Sequence, residues 1–416
     1  MSSSSQTPKS GERAFDVVVY GATGFTGGLV AQYMAQHAPK KVRWAIAGRS
    51  SERLEAVRSA VSRLNDLYSP PIILANASDE QSLVDMALQT KVVLTTVGPF
   101  LRYGETLVKA CIQAGTHYCD ITGETVFVRR MIDKYHEEAK RKNVYIVPSC
   151  GCDCLFSDLG VLYVANDAQK EGRTLKNVTG FIEANAGFSG GTFHSMIGLM
   201  RDTPKRELFQ MRDPYYLNPA GDDHPAASSH DNDKVGLSYD RRVNMWTYPF
   251  PLSHPNMRTV RRTNALLKNA FGPSFHYNEV SAGSSFLVGA MFVFFYYVFI
   301  LLILFSPTRS LITRLGPKPG DGPSAEKRAR SWLVMHVKAE RDDGSKVEGR
   351  ISAGDPGYTE TSKMLAESAM CLAMQQDQIA KRSGIRGGVV TAGSTLGMLL
   401  VDRLQKAGIP FELIRE

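Results

Sequence analysis

The sequence predicts an α/β protein: a doubly wound parallel sheet, followed by a second α+β domain that carries a hydrophobic membrane-associating segment. Three observations predict it. Short β-branched apolar runs alternate with helical patterns over the first 150 residues, as expected when helices cover both faces of a parallel sheet. A glycine-rich turn joins the first such run to the first helix. Strand-like runs then resume on either side of Phe286–Phe305, 20 residues without a charge.

Phe15–Tyr20 (F-D-V-V-V-Y) is a nearly continuous apolar run, as expected of a strand buried on both faces. It leads into Gly21-Ala22-Thr23-Gly24-Phe25-Thr26-Gly27-Gly28 and a helical pattern over Leu29–His37. Strand, glycine turn and helix in this register form a Rossmann-type dinucleotide fingerprint. Gly21 makes the tight turn, Gly24 lets the backbone approach a pyrophosphate, and Gly27 lets helix and strand pack closely. The helix N-terminus offers free N–H groups to phosphates, so Thr23, Phe25 and Thr26 join the glycines as candidate cofactor contacts. A second strand, Arg43–Ala47, ends in Gly48-Arg49-Ser50. An NAD site commonly places a carboxylate here for the ribose 2′-OH. Arg49 and Ser50 instead suit a 2′-phosphate, which guanidinium grips in a charge-assisted, bidentate way. The predicted cofactor is NADP(H), against the plainer reading of Arg49 as a solvated surface charge.

Ile72–Ala75 reads as a third strand, with a helix N-cap at Ser78-Asp79. Val92–Val97 reads as a fourth, breaking at Gly98-Pro99-Phe100; a helix from about Gly104 to Ala114 stops at Gly115, and His117–Ile121 is the next strand. Ligands of open α/β sheets lie beyond the carboxyl ends of the strands, which places Gly98-Pro99 and Asp120-Ile121-Thr122-Gly123-Glu124 beside a nicotinamide. Tyr118, Asp120, Thr122 and Glu124 are candidates to hold its carboxamide or relay a proton, although Asp and Thr also satisfy turn backbones routinely. Ser189-Gly190-Gly191-Thr192 offers backbone N–H groups to a substrate carbonyl and adds Thr192 to the catalytic candidates. His194 follows on a helical pattern, where a lone histidine is more often structural. Arg261 and Arg262 suit an anionic head group or carrier phosphate, or else a solvated charged face. No hydrolase pattern is present.

Gly151–Val164 opens the second domain as a helix, Val178–Ala184 is a strand, and Trp332–Ala339 with Lys346–Ile351 forms a hairpin around Asp342-Asp343-Gly344. Ala220–Lys234 is polar and reads as a surface loop. The hairpin and a helix from about Thr359 look like partners of the second domain's sheet. Thr395–Lys406 and Phe411–Ile414 look like a return to the first domain. The expected division is a disordered tail at 1–13, an NADP-binding domain at 14–150, a second domain at 151–358, and C-terminal helices at 359–416 returning to the first domain.

A chain of 416 residues with 43% hydrophobic and 22% charged side chains is an ordinary globular protein of two or three domains. Against a net charge of +8, two windows carry +10 between them: residues 241–270 hold six basic and no acidic side chains, residues 306–330 six basic and two acidic. The basicity is local, which argues against a nucleic-acid partner. The six cysteines imply no disulfide framework, and Cys150-Gly151-Cys152-Asp153-Cys154 lacks the second pair that a structural zinc site needs, so no metal is expected. These thiols read as small buried apolar groups. Met1–Gly11 is Ser-rich with no apolar leader, as expected of a chain in a reducing compartment.

As a helix, Phe286–Phe305 would be about 30 Å long, enough to cross a hydrocarbon core. Both flanks are basic, however, so no Lys/Arg asymmetry orients a span. The favoured expectation is a helix lying in one leaflet or in a lipid-droplet monolayer, its basic flanks drawn to anionic head groups. A wholly buried core helix and a single span are the alternatives.

With these residues in view, the chain resembles the saccharopine dehydrogenase-like oxidoreductases, which include the mycobacterial trans-acting enoyl reductases and eukaryotic relatives found on lipid droplets. The matching stretches are G-A-T-G-F-T-G (21–27), A-G-R (47–49), V-G-P-F (97–100), H-Y-C-D-I-T-G-E (117–124), S-G-G-T (189–192), D-P-Y-Y-L-N-P (213–219), R-R-T-N-A-L-L (261–267), D-P-G-Y-T-E-T-S-K-M-L-A-E-S-A (355–369) and G-G-V-V-T (387–391). One stretch departs. Where the family reads G-F-D-S-I-P-S-D-L-G, this chain has Gly151-Cys152-Asp153-Cys154-Leu155-Phe156-Ser157-Asp158-Leu159-Gly160, a change that could reshape the floor of a substrate pocket. The resemblance implies an NADP(H)-dependent oxidoreductase, in the reducing direction, acting on a lipid or acyl substrate at a membrane or lipid-droplet surface. Membrane association on the cytosolic side, at lipid droplets or the endoplasmic reticulum, is expected, and a homodimer is one candidate assembly. Two other functions stay open: a non-catalytic NADP(H)-binding protein of lipid droplets or membranes, and a genuine saccharopine dehydrogenase, whose polar substrate leaves the apolar segment unexplained.

Overall fold

The computed structural model describes residues 13–65, 68–186, 190–222, 224–316 and 322–414. The tail expected at 1–13 falls outside them except for Arg13. In chain order the strands are β1 (Phe15–Tyr20), β2 (Trp44–Gly48), β3 (Ile72–Leu74), β4 (Thr90–Thr95), β5 (His117–Asp120), β6 (Tyr145–Val147), β7 (Leu175–Asn185), β8 (Ser238–Asp240), β9 (Met245–Tyr248), β10 (His276–Gly283), β11 (Trp332–Arg341), β12 (Lys346–Ala353), β13 (Gly388–Val389) and β14 (Phe411–Ile414). They form two seven-stranded sheets.

The first sheet has the order β13-β6-β5-β4-β1-β2-β3, and its pairings are parallel throughout. Strand order reverses between β1 and β4, the kind of switch point where open sheets bind dinucleotides. Val17–Val19 of β1 and Val92–Leu94 of β4 are fully buried, which is why these strands are apolar without alternation. Two helices start earlier than their sequence pattern suggests: Phe25–His37 begins inside the glycine motif, and Phe100–Ala114 begins ahead of Gly104. Glycine inside a helix costs only about 1 kcal/mol relative to alanine, and packing overrides it. A Cβ on Gly104 would lie 2.6 Å from the Phe127 ring.

The second sheet has the order β14-β12-β11-β7-β10-β9-β8; only β7 and β10 pair in parallel, the other pairs being antiparallel. The β11–β12 hairpin forms as expected. Phe411–Ile414, expected to return to the first domain, instead pairs with β12, Phe411 opposite Ile351, and so covers what would be an open edge. The Thr359–Met374 helix goes the other way: it lies against β1, β4, β5 and the Phe25–His37 helix. Twelve of its residues are buried, so it needs walls on several sides, which the nucleotide half supplies. The polar Ala220–Lys234 segment is not all surface, because Asp231 is fully buried beside His276 and Arg261.

The apolar run forms the Phe286–Leu304 helix, and a wholly buried core helix is ruled out: only Gly289 and Ile303 are buried. Phe286, Leu287, Val288, Phe294, Phe295 and Leu301 are each more than half exposed. One side rests on the second sheet, with the Trp246 and Phe286 rings 4.9 Å apart, the Tyr248 and Phe292 rings 5.0 Å apart, and the Tyr297 hydroxyl donating to the Val235 carbonyl at 2.6 Å. β10 just before the helix and β11 after it both pair with β7. The chain on either side of the helix thus belongs to one sheet.

Candidate functional site

The carboxyl ends of β1, β2, β4, β5 and β6 gather the predicted residues. Gly21 has φ +91°, where side chains are strained, and a Cβ there would lie 2.8 Å from Val97 Cγ2. Gly24 is exposed and caps the Phe25–His37 helix with no side-chain hydrogen bond, and the first turn holds no acidic residue. A Cβ on Gly27 would sit 2.1 Å from the Gly21 carbonyl oxygen, so only glycine lets the helix start this close to β1. The result is an open helix N-terminus with uncapped N–H groups, the arrangement that receives phosphate. Thr23 stands beside the end of β2, its hydroxyl 3.8 Å from where a Cβ on Gly48 would be. The Phe25 ring meets Tyr358 edge-on at 4.8 Å and lies 5.4 Å under the Arg328 guanidinium. The Thr26 carbonyl accepts from Ser362 Oγ at 3.3 Å.

Arg49 is exposed just beyond β2, with no hydrogen bond or ion pair to its side chain among the described residues. That is what a 2′-phosphate ligand requires: a guanidinium held at the site and not consumed by the protein. Ser50 caps the Ser51–Ser62 helix, its Oγ accepting from Arg53 N at 3.3 Å, which leaves the O–H to donate.

Tyr118, Asp120 and Glu124 come together but are at most 2% exposed. The Tyr118 hydroxyl donates to Asp120 at 2.6 Å, and Asp120 also accepts from the backbone N–H groups of Thr122 and Ser149, both at 2.9 Å. Burial pushes the Asp120 carboxyl up to about 6 despite these donors. Glu124 accepts from Phe100 N at 3.1 Å, Leu101 N at 2.7 Å and Ser195 Oγ at 2.9 Å. It therefore caps the helix that follows the Gly98-Pro99 cis peptide, and burial raises its pKa while those donors oppose the rise. Thr122 Oγ1 accepts from Glu124 N at 3.0 Å. These hydrogen bonds are committed to shaping the loops. Thr192 lies in the Gly190–Asp202 helix; its side chain and Ser189 lie outside the described residues.

Asp153, on the first turn of the Cys152–Lys170 helix beyond β6, was passed over in the sequence because the C-x-C-x-C run draws attention to its cysteines. The stretch that departs from the family pattern nonetheless keeps this aspartate. Thr361 Oγ1 accepts from Cys152 N at 3.0 Å and anchors the turn. No hydrogen bond reaches the Asp153 carboxylate among the described residues. It keeps partial exposure, yet surrounding protein excludes most water, and burial pushes its carboxyl up to about 7. Behind it lies Glu279, fully buried, accepting from Ser157 Oγ at 2.5 Å, Tyr277 OH at 2.7 Å and Asn256 Nδ2 at 2.7 Å. The Tyr358 hydroxyl accepts from Gly190 N at 3.0 Å, tying the start of the Gly190–Asp202 helix to Phe25 of the nucleotide loop.

Arg261 and Arg262 are not head-group ligands. Arg261 donates to the carbonyls of Pro214 and Asp231 at 3.0 Å and of Tyr277 at 2.5 Å; Arg262 donates to the Leu217 carbonyl and, at 2.5 Å, to that of Val389. Both are at most 2% exposed, as is Arg258. Half the positive charge of the 241–270 window is therefore internal, and Arg242 is paired with Asp240. As a surface feature, the basic flank on that side of the apolar helix is largely lost. All six cysteines are buried free thiols, and no His/Cys/Asp/Glu cluster of metal-binding size exists among the described residues.

An open helix N-terminus at the switch point of a parallel sheet, with an arginine after the second strand that pairs with none of the described residues, defines the class as an NADP-binding oxidoreductase. Comparison with known proteins agrees. Residues 17–147 match the saccharopine dehydrogenase NADP binding domain. A Mycobacterium tuberculosis relative that carries the trans-acting enoyl reductase name is 38% identical over 427 residues, covering 97% of this chain and 98% of its own. The trans-acting enoyl reductase of Mycobacterium ulcerans is 33% identical over 421 residues, covering 96% and 98%. Apo saccharopine dehydrogenase (L-Glu forming) from Saccharomyces cerevisiae shares the fold, with a TM-score of 0.55 at 12% identity over 96% of this chain and 100% of that one. The chain belongs to the saccharopine dehydrogenase-like family, alongside the trans-acting enoyl reductases.

Proposed function

We propose that this protein is an NADPH-dependent reductase of an acyl substrate that works at a lipid surface on the cytosolic side, at lipid droplets or the endoplasmic reticulum. In this reading Gly21, Thr23, Gly24, Phe25, Thr26 and Gly27 form the pyrophosphate cradle, Arg49 and Ser50 hold the 2′-phosphate, and Gly98 and Pro99 flank the nicotinamide. The bound coenzyme supplies hydride; the chain supplies orientation, a dry site and a proton. Asp153 is the proton source: a carboxyl pushed up to about 7 holds its proton half the time near neutrality, and none of the described residues hydrogen-bonds it. The relatives' name supports an enoyl substrate, in which hydride adds to one alkene carbon and a proton to the other as the coenzyme is oxidised.

The observation that carries the lipid surface is the Phe286–Leu304 helix, uncharged and only 11% buried over its most apolar window. Apolar area left in water forgoes about 25 cal/mol per Å², and a continuous patch of this kind marks an interaction surface. The adjoining Ser306–Leu315 helix exposes Leu311 and Leu315 beside Arg309 and Arg314, the composition of an interfacial helix. Because the strands flanking the apolar helix share one sheet, a helix lying in a monolayer suits the fold better than a single crossing. The test mixes the full chain with NADPH, a trans-2-enoyl thioester and phosphatidylcholine/phosphatidylserine vesicles. NADPH-specific loss of absorbance and flotation of the protein with the vesicles are expected. A protein that binds neither coenzyme, or stays wholly off the vesicles, overturns this reading.

A further inference from the structure

The Gly190–Asp202 helix and the apolar helix enclose a cleft of about 350 Å³, within the ~300–1,000 Å³ of small-molecule sites. Phe193 and Met196 line it from the first helix and Phe292, Phe295 and Phe299 from the second, joined by Pro251. The hydroxyl of Tyr296 is the one polar side-chain group in the lining, and no charged residue contributes. A polar or ionic ligand would leave its groups unpaired here, whereas a hydrocarbon would leave none.

The two walls connect this cleft to two different surroundings. The first is the helix that begins at Gly190, whose N–H bonds Tyr358 beside the nucleotide loop. Its Ser195, one residue before Met196, bonds Glu124, the cap of the Gly98-Pro99 loop. The second wall is the exposed apolar helix itself, in which Phe295 remains 59% exposed. The helix that walls the cleft thus also reaches the cofactor end of the fold through Gly190 and Ser195, and the rim of the cleft is continuous with the face that avoids water.

We propose that this cleft receives the hydrocarbon chain of the substrate, drawn sideways from the lipid phase, with the polar end of the substrate held toward the start of the Gly190–Asp202 helix. The inference rests on the reductase reading and narrows it: the substrate carries a long hydrocarbon tail and is not a short, water-soluble thioester. Full-length protein is titrated with 11-(dansylamino)undecanoic acid, and the probe is displaced by saturated fatty acids from octanoic to hexadecanoic. Affinity should rise about fourfold per added methylene (~0.8 kcal/mol) until the cleft is full, then level off. Met196→Trp, which fills the cleft, should move that plateau to shorter acids without changing NADPH binding followed by nicotinamide fluorescence. Phe299→Ala, which enlarges it, should move the plateau to longer acids and stands in if the tryptophan variant does not fold. Leu287→Gln with Leu301→Gln, on the exposed face, should weaken vesicle flotation and leave fatty-acid affinity unchanged. Affinity that is flat with chain length, or a plateau unmoved in both cleft variants, overturns the proposal even if NADPH-dependent turnover is found. A normal chain-length profile with no turnover of any enoyl thioester sinks the reductase reading and leaves the cleft standing.

Discussion

Gly27 and Gly28 are neighbours in one helix, and the same substitution should have opposite consequences at the two. At Gly27 an alanine Cβ would lie 2.1 Å from the Gly21 carbonyl oxygen, 2.7 Å from its carbon and 2.9 Å from Thr96 Oγ1. Non-bonded atoms are comfortable at about 3.5 Å, so the helix would have to withdraw from β1 by more than about 1 Å. The same Gly21 oxygen accepts from Gly24 N at 2.9 Å, and withdrawal loosens the turn that presents the helix N-terminus. Overpacking of this kind costs about 1–3 kcal/mol, and a displaced phosphate cradle adds a loss of coenzyme affinity of about tenfold, equivalent to ~1.4 kcal/mol. At Gly28 the nearest atom to a new Cβ is the Ala22 oxygen at 3.6 Å, an ordinary contact. Alanine there should gain up to about 1 kcal/mol of helix propensity. Urea unfolding with and without NADPH, together with a fluorescence titration of the coenzyme, separates the two. Gly27→Ala should be less stable and bind NADPH more weakly; Gly28→Ala should be as stable or more so and bind normally. Equal behaviour of the two variants, or wild-type NADPH affinity in Gly27→Ala, would refute the close-packing argument.

Arg49→Ala should weaken NADPH by about 1.5–3 kcal/mol, the worth of hydrogen bonds to a charged group, while NADH affinity and the melting temperature barely move; unchanged coenzyme preference would remove the 2′-phosphate assignment. Asp153→Asn should lower turnover by about 10²–10⁴-fold with NADPH binding intact, measured by coenzyme absorbance, and a variant of normal rate would exclude Asp153 as the proton source. Arg262→Met should cost about 2–4 kcal/mol in urea, because the Leu217 and Val389 carbonyls lose their buried donor; a neutral result would contradict the structural role of this arginine. Burial raises Glu279 from 4.5 to about 7, so the folded protein keeps a proton that the unfolded chain has released. The stabilisation is present below the unfolded pKa and is lost as pH rises through the folded one. Relative to Glu279→Gln, wild type should therefore lose about 2–3 kcal/mol of stability between about pH 5 and pH 8. Parallel unfolding curves for the two proteins at both pH values would show that Glu279 is not so perturbed.

The first half of the molecule could be read from its sequence because its information is local. A β-branched run, a glycine turn and a helical pattern occupy consecutive residues, and each follows from steric rules that need no distant partner. Where sequence reading fails, the deciding contact is far away. Phe411–Ile414 has the composition of any short strand, and only the free edge of β12 determines which sheet it joins. Arg261 and Arg262 have the charge of surface residues, and nothing near them in the chain announces carbonyl acceptors at Pro214, Leu217 or Val389. Asp153 could be found only by asking which polar residue in a cysteine-rich turn is left, among the described residues, with no hydrogen-bond partner once the chain has folded. The same distinction changes the argument for a lipid surface. As sequence, the apolar helix has two basic flanks; in the fold, Arg258, Arg261 and Arg262 are buried against the protein's own carbonyls and Asp231 or Asp233. On the proposed lipid-surface reading, attraction to anionic head groups would fall mainly to the Ser306–Leu315 helix, which carries Arg309 and Arg314 and has no buried residue. On that reading salt should weaken vesicle binding only in part, because the larger share of the affinity would come from apolar area that screening does not touch.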